Sequence, residues 1–188
     1  KEAMSAKQLP VYAMPKLKSF LEQNGPWSQL VSQQNIQIQT LSDNQAIRLG
    51  DSISVTPLIV PHRDEYSETV GYIISGPSKK LLFIPDIDKW EKWSQNINRL
   101  IEKVDYALID ATFFDAAEIN NRPISEIPHP LVVESMDRFK STPLKDKQKI
   151  HFIHFNHTNP LINNKSIATE KVIKAGFNIT KKGNIFKL

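Results

Sequence analysis

The rhythm of hydrophobic and polar positions changes along this chain, and the changes mark its elements. The densest signal lies between Val55 and Asp88. Val55 to Val60 is β-branched and apolar, and it stops at Pro61-His62-Arg63-Asp64-Glu65. Val70 to Ile74 is a second apolar run, closed by Gly76-Pro77. Leu81 to Ile84 is a third, and it stops at Pro85-Asp86-Ile87-Asp88. Continuous apolar runs of this length, bounded by Gly, Pro and charge, predict buried strands. Polar groups at the ends of such strands fall on the rim of a sheet, where binding and catalytic groups concentrate.

The flanking pattern completes the picture. Lys1 to Lys7 reads as the remnant of a helix, and Leu9 to Met14 as a short strand. Pro15 suits the first position of a helix, and Leu17, Phe20 and Leu21 recur at helical spacing until Asn24-Gly25-Pro26. Trp27 to Val31 adds a short helical turn. From Ile36 the period is two. Turns at Asp43-Asn44-Gln45 and Gly50-Asp51 then predict an antiparallel meander with one wet face. After Asp88, an apolar stripe of Trp90, Trp93, Ile97, Leu100 and Ile101 predicts one core-facing helix. Tyr106 to Asp110 is a strand, and Asn120 to Pro128 a loop. Leu131 to Phe139 is a helix opened by His129-Pro130. A loop follows Pro143, and Ile150 to Phe155 is a strand. The helix of about Lys165 to Ala175 stops at Gly176. Phe177 to Thr180 and Asn184 to Lys187 read as a closing hairpin. A meander followed by alternating strand and helix predicts an α/β layered architecture in a single domain, residues 1–188.

Composition narrows the chemistry. The chain has 188 residues, 40% hydrophobic and 23% charged, an ordinary globular balance. The net charge of +4 comes from scattered lysines, so a solvated basic surface is expected rather than a nucleic-acid footprint. The absence of cysteine removes disulfides, thiolate metal sites and thiol nucleophiles together. No apolar run approaches the roughly 20 residues that span a bilayer. The expectation is a cytoplasmic protein acting on a small-molecule substrate, without membrane or nucleic-acid partners and with room for a homodimer.

Four strand ends carry candidate groups: His62, Asp86, Asp110 and His154. Imidazole with carboxylate suits zinc, iron or manganese. A ligating histidine needs an acceptor on its other ring nitrogen, and Asp64, Glu65 and Asp88 lie close in sequence to such positions. Each residue also has a structural reading. Asp86 could cap the following helix, although Asp88 is nearer and better placed for that. Asp110 could bond only backbone amides, His151 suits a packing role within its strand, and His157 is open.

The order of these residues resembles the metallo-β-lactamase superfamily. Pro61-His62-Arg63 precedes the Gly-aromatic strand Val70-Gly71-Tyr72-Ile73. Phe83-Ile84-Pro85-Asp86 matches a strand ending in a bridging acid, with Pro85 where Gly is usual. Ile109-Asp110-Ala111-Thr112, His129 and Phe152-Ile153-His154-Phe155 follow in the family's order. Asp110 to Phe114 and His154 to Pro160 look most like the pyrroloquinoline quinone synthesis protein B branch, with Ala111 and His157 as departures. The resemblance implies an αββα sandwich, of which this chain would be the C-terminal portion. The superfamily's His-x-His-x-Asp-His signature is absent from these residues, and the resemblance implies that it lies upstream. It further implies a divalent metal, zinc first with iron or manganese as alternatives, held by His62, Asp86 and His154. His129 or Asp110 would move protons. Three functions stay open at this point. One is metal-dependent hydrolysis of an ester or phosphodiester; the others are oxidative metal chemistry in quinone cofactor synthesis, and a non-catalytic domain with an incomplete site.

Overall fold

Seven strands form one mixed sheet, and its antiparallel and parallel halves do different jobs. The computed structural model describes residues 6–119 and 123–188. In chain order the elements are β1 (Leu9–Ala13), α1 (Pro15–Gln23), α2 (Trp27–Ser32), β2 (Ile36–Thr40), β3 (Ile47–Leu49), β4 (Ile53–Ile59), β5 (Val70–Ser75) and β6 (Lys80–Ile84). Then come α3 (Ile97–Glu102), β7 (Tyr106–Asp110), α4 (Val132–Arg138), α5 (Leu144–Lys147), β8 (Ile150–Ile153), α6 (Ile167–Lys174) and β9 (Asn178–Ile179). The helix remnant expected at Lys1 to Lys7 falls mostly on residues 1–5, outside the described residues; Ala6 and Lys7 are not helical.

The large sheet runs β3-β4-β5-β6-β7-β8-β9. β3 to β6 pair antiparallel, as the turn residues require, and β6 to β9 pair parallel. Parallel neighbours need crossovers, supplied here by α3, by α4 with α5, and by α6. Because β4 runs in the same direction as β6, β7 and β8, the C-terminal ends of all four strands reach one edge. His62, Asp86, Asp110 and His154 follow or close those strands. The core lies between sheet and crossovers: Leu58, Leu82, Ile84, Ile109, Ile150 and Phe152 on the strands meet Trp90, Ile97, Ile101, Val132, Phe139 and Val172. Gly71 in β5 is required by close approach, since a Cβ there would lie 2.9 Å from the Phe83 carbonyl oxygen and the Ile84 side chain.

Four local expectations change. β2 alternates as a strand should, but it pairs parallel with β1 in a separate two-stranded sheet and so lies outside the meander. The Trp90 stripe is buried as expected but is not one helix. A 3-10 turn at Trp90–Lys92 ends at Trp93, whose backbone is extended (φ −85°, ψ 129°). α3 then restarts with the Asn96 side chain accepting from the Asn98 and Arg99 amides. The loop after Pro143 contains α5, held by buried Asp146 paired with Lys149 at 2.7 Å. The closing hairpin does not form: β9 extends the sheet parallel to β8. Phe186 instead packs edge-on against Tyr106 and His151, at 5.2 and 5.0 Å between ring centres.

Candidate metal centre

The β4 run ends at Pro61, which delivers His62 to the sheet edge. The Asp88 amide donates to the Pro61 carbonyl at 2.7 Å, drawing the segment after β6 alongside. His62 Nδ1 then sits 3.1 Å from Asp88 Oδ1, and Lys92 Nζ lies 2.8 Å from Asp88 Oδ2. Asp88 therefore does not cap a helix; Lys89 occupies that position, without a side-chain cap. Burial alone would raise the Asp88 carboxyl, but bonds from Lys92 and His62 outweigh it and hold it below its usual range.

Asp86 points into the space between the imidazoles. Its Oδ1 lies 3.3 Å from His62 Nε2 and 3.3 Å from His129 Nδ1. Neither approach meets hydrogen-bond geometry, so this buried oxygen lacks a donor among the described residues. Such an orphan is costly unless something cationic satisfies it.

Asp110 has the opposite environment. It is fully buried at the end of β7. Its Oδ1 accepts from the Thr112 amide and hydroxyl at 2.8 and 2.7 Å; its Oδ2 accepts from the Ile87 amide at 3.2 Å and from His129 Nδ1 at 2.9 Å. Burial would raise this carboxyl, but His129, His154 and Thr112 overcome it and hold the group below the usual range. His129 is placed by the segment between β7 and α4: the Val132 and Val133 amides donate to the Phe113 and Phe114 carbonyls. It precedes the helix rather than opening it, because α4 begins after Leu131, whose amide donates to Glu134.

His154 follows β8 in a left-handed conformation (φ +63°), an uncommon state for a residue with a Cβ. Neighbouring bonds hold it there. Asn156 N donates to the Thr112 carbonyl, and buried Asn159 donates through Nδ2 to the Ala111 and Thr112 carbonyls. His154 Nδ1 lies 3.1 Å from Thr112 Oγ1 and 3.8 Å from Asp110 Oδ1. The nearby Asp110 carboxylate raises its pKa against the opposing effect of burial, and Asp86 adds to the rise.

His62, Asp86, Asp110, His129 and His154 all lie at this edge, but the tightest group of donor atoms among the described residues differs from the expected set of His62, Asp86 and His154, with Asp110 in place of His62. Asp86, Asp110 and His154 each present a ligand atom within 4.8 Å of the others. His62, Asp86, His129 and His154 line one cavity of about 740 Å³, with Arg63, Asp64, Glu65, Phe113 and Glu126 among its other walls. His62 Nδ1 faces Asp88, His129 Nδ1 faces Asp110 and His154 Nδ1 faces Thr112, which leaves Nε2 of each ring as the available basic nitrogen. Nitrogen and carboxylate donors around an orphaned oxygen fit a divalent cation of the zinc, iron or manganese type. Sequence reasoning missed Thr112 and Asn159 as the residues that position His154. Both lie in the runs that carry the family resemblance, Ile109 to Thr112 and His154 to Pro160, but nothing in the sequence says that they bond to each other's segment.

Comparison with known proteins agrees with this architecture. A family model described as "Beta-lactamase superfamily domain" matches residues 1–155. "Coenzyme PQQ synthesis protein B" of Nitrosococcus oceani is 29% identical over 140 residues, covering 69% of this chain and 44% of that protein. The chain therefore spans less than half the length of this curated relative. The fold is similar to that of zinc-bound PqqB from Methylobacterium extorquens (TM-score 0.76, 20% identity, 96% of this chain and 65% of that one). It is also similar to a diphosphatase of the PhnP family (TM-score 0.56, 18% identity, 94% and 57%). Among the described residues no helix is long and apolar enough to cross a membrane.

Proposed function

The chain belongs to the beta-lactamase superfamily domain family, and from that premise we propose that it hydrolyses an ester or phosphodiester of a small molecule with a divalent metal held by His62, Asp86 and His154. The observation that carries this reading is Asp86 Oδ1, buried, without a donor among the described residues, and 3.3 Å from His62 Nε2. Asp110 is the alternative acid, but both of its oxygens already accept two hydrogen bonds. That contrast supports Asp86 as a ligand and Asp110 as the group that orients its neighbours. When bound, the metal would lower the pKa of a water toward about 7 and polarise the bond to be cleaved. Zinc is the favoured ion, with iron or manganese as alternatives.

The protein's own part is orientation and proton movement. Asp110 accepts from His129 Nδ1, which leaves Nε2 of His129 to carry a proton to the leaving oxygen. The Thr112 hydroxyl donates to Asp110 and accepts from His154 Nδ1, fixing the ring so that its Nε2 would be the nitrogen left to hold a metal. Phe113 packs edge-on against His129 at 6.3 Å, limiting how far that ring can swing. The test is hydrolysis of bis(p-nitrophenyl) phosphate by the zinc-loaded chain. Turnover that requires zinc and falls about 10²–10⁴-fold in His129→Ala supports the reading. Equal turnover in Asp86→Ala overturns it.

A second reading is a step of coenzyme PQQ synthesis, favoured by the match to the Nitrosococcus oceani protein. The same donor set accepts iron. Iron bound after aerobic purification, with oxygen consumed on a tyrosine-derived precursor and no phosphodiesterase turnover, would select this reading over hydrolysis.

A further inference from the structure

We infer that Asp88 is a positioning residue that sets the tautomer of His62, and that Lys92 fixes the Asp88 carboxylate for this task. The inference deepens the proposed function, because it rests on His62 being a metal ligand. Asp88 lines the wall of the cavity, and both of its carboxylate oxygens are engaged. Its Oδ1 faces His62 Nδ1 at 3.1 Å and its Oδ2 faces Lys92 Nζ at 2.8 Å, while its backbone amide holds the Pro61 carbonyl at 2.7 Å. His62 and Asp88 are largely buried, with side-chain exposures of 13% and 18%. An ionised carboxylate only accepts, so the ring must place its proton on Nδ1. That leaves Nε2, 3.3 Å from Asp86 Oδ1, as a lone-pair donor toward the ion. Without Asp88 the ring would divide between two tautomers, and one of them turns an N–H toward the ligand position.

The chemistry of an amide makes the inference testable. Asn at position 88 has one acceptor where Asp has two. The ammonium of Lys92 can only donate, so it takes the amide oxygen. The amide nitrogen then faces His62 Nδ1, which must accept, and the proton moves to Nε2. The Asp88→Asn variant should therefore switch His62 to the Nε2–H form and weaken zinc binding by about 10–100-fold, the usual effect of losing such a partner. Adding Lys92→Met frees the amide oxygen to turn toward the ring, and should restore the Nδ1–H form and most of the affinity. A fold defect would not be repaired by a second substitution.

The experiment uses the full chain. Long-range ¹⁵N–¹H spectra of the histidine rings, assigned with His62→Ala, report the tautomer without metal. Competition with a chromophoric chelator reports zinc affinity, and circular dichroism checks the fold. An Nε2–H ring in Asp88→Asn that reverts in the double variant is the expected result. A ring that stays Nδ1–H in Asp88→Asn overturns the inference. Zinc affinity unchanged in His62→Ala overturns instead the reading of His62 as a ligand.

Discussion

Replacing Asp110 by Asn should cost more stability than an isosteric change usually does. The carboxylate is fully buried and accepts from the Ile87 amide, the Thr112 amide and hydroxyl, and His129. An amide can replace only one of its oxygens as an acceptor. If the nitrogen takes the Oδ1 place, the Thr112 hydroxyl can rotate to accept, but the Thr112 amide cannot. If it takes the Oδ2 place, His129 can change tautomer, but the Ile87 amide is stranded. Either way one buried backbone N–H loses its partner, which costs about 1–3 kcal/mol. Loss of the charged acceptor weakens the remaining bonds, so a total of about 2–4 kcal/mol is expected for the metal-free chain.

Urea unfolding followed by tryptophan fluorescence measures this directly, since Trp90 and Trp93 are buried in the same core. The sign with pH is also fixed. The Asp110 pKa is lowered in the folded state, so its contribution is present above the ordinary carboxyl value. It is lost as pH falls through the folded value. The gap between wild type and Asp110→Asn should therefore be full at pH 7 and shrink once pH drops below about 4. A gap under about 0.5 kcal/mol at pH 7, the size of an ordinary surface change, would refute the reasoning.

Thr112→Val removes the hydroxyl between His154 and Asp110; zinc affinity should fall about 10-fold or more, as for other lost partners of a ligating histidine, measured by chelator competition. Gly71→Ala places a Cβ against the Phe83 carbonyl and Ile84, and should destabilise by about 1–3 kcal/mol in urea unfolding. The raised pKa of His154 predicts that, in the metal-free chain, its small stabilising contribution is present below about 6.5 and fades as pH rises through the folded value. Zinc affinity should run the other way, rising over that window as the ring gives up its proton, and titration at several pH values checks it.

Strands of the large sheet were legible because β-branched runs such as Val55 to Val60 end abruptly at Gly, Pro and charge. The site candidates were legible for the same reason, since a strand end is the one place where an acid or imidazole is not explained by packing. Pairing was less legible. The alternation of Ile36 and Ile38 marks β2 as a strand, but nothing local says that its partner is β1. The Trp90 stripe keeps helical spacing across a break, because burial rewards the side chains whether or not the backbone between them is helical. Asp88 read as a cap because a cap needs only neighbours in sequence. Its actual partner, His62, lies 26 residues away and is brought near by the antiparallel path through β5 and β6. The division of labour between Asp86 and Asp110 was likewise invisible, since it depends on which oxygens the folded backbone already occupies.

The central claim is that Asp86 is the oxygen ligand shared with His62 and His154. Anomalous diffraction at the zinc absorption edge, from crystals of the chain loaded with zinc, tests it most directly. The account predicts a peak about 2 Å from Asp86 Oδ1 and within bonding distance of Nε2 of His62 and His154. A zinc-loaded crystal with no peak at that position, or with its zinc bound away from Asp86, would contradict it.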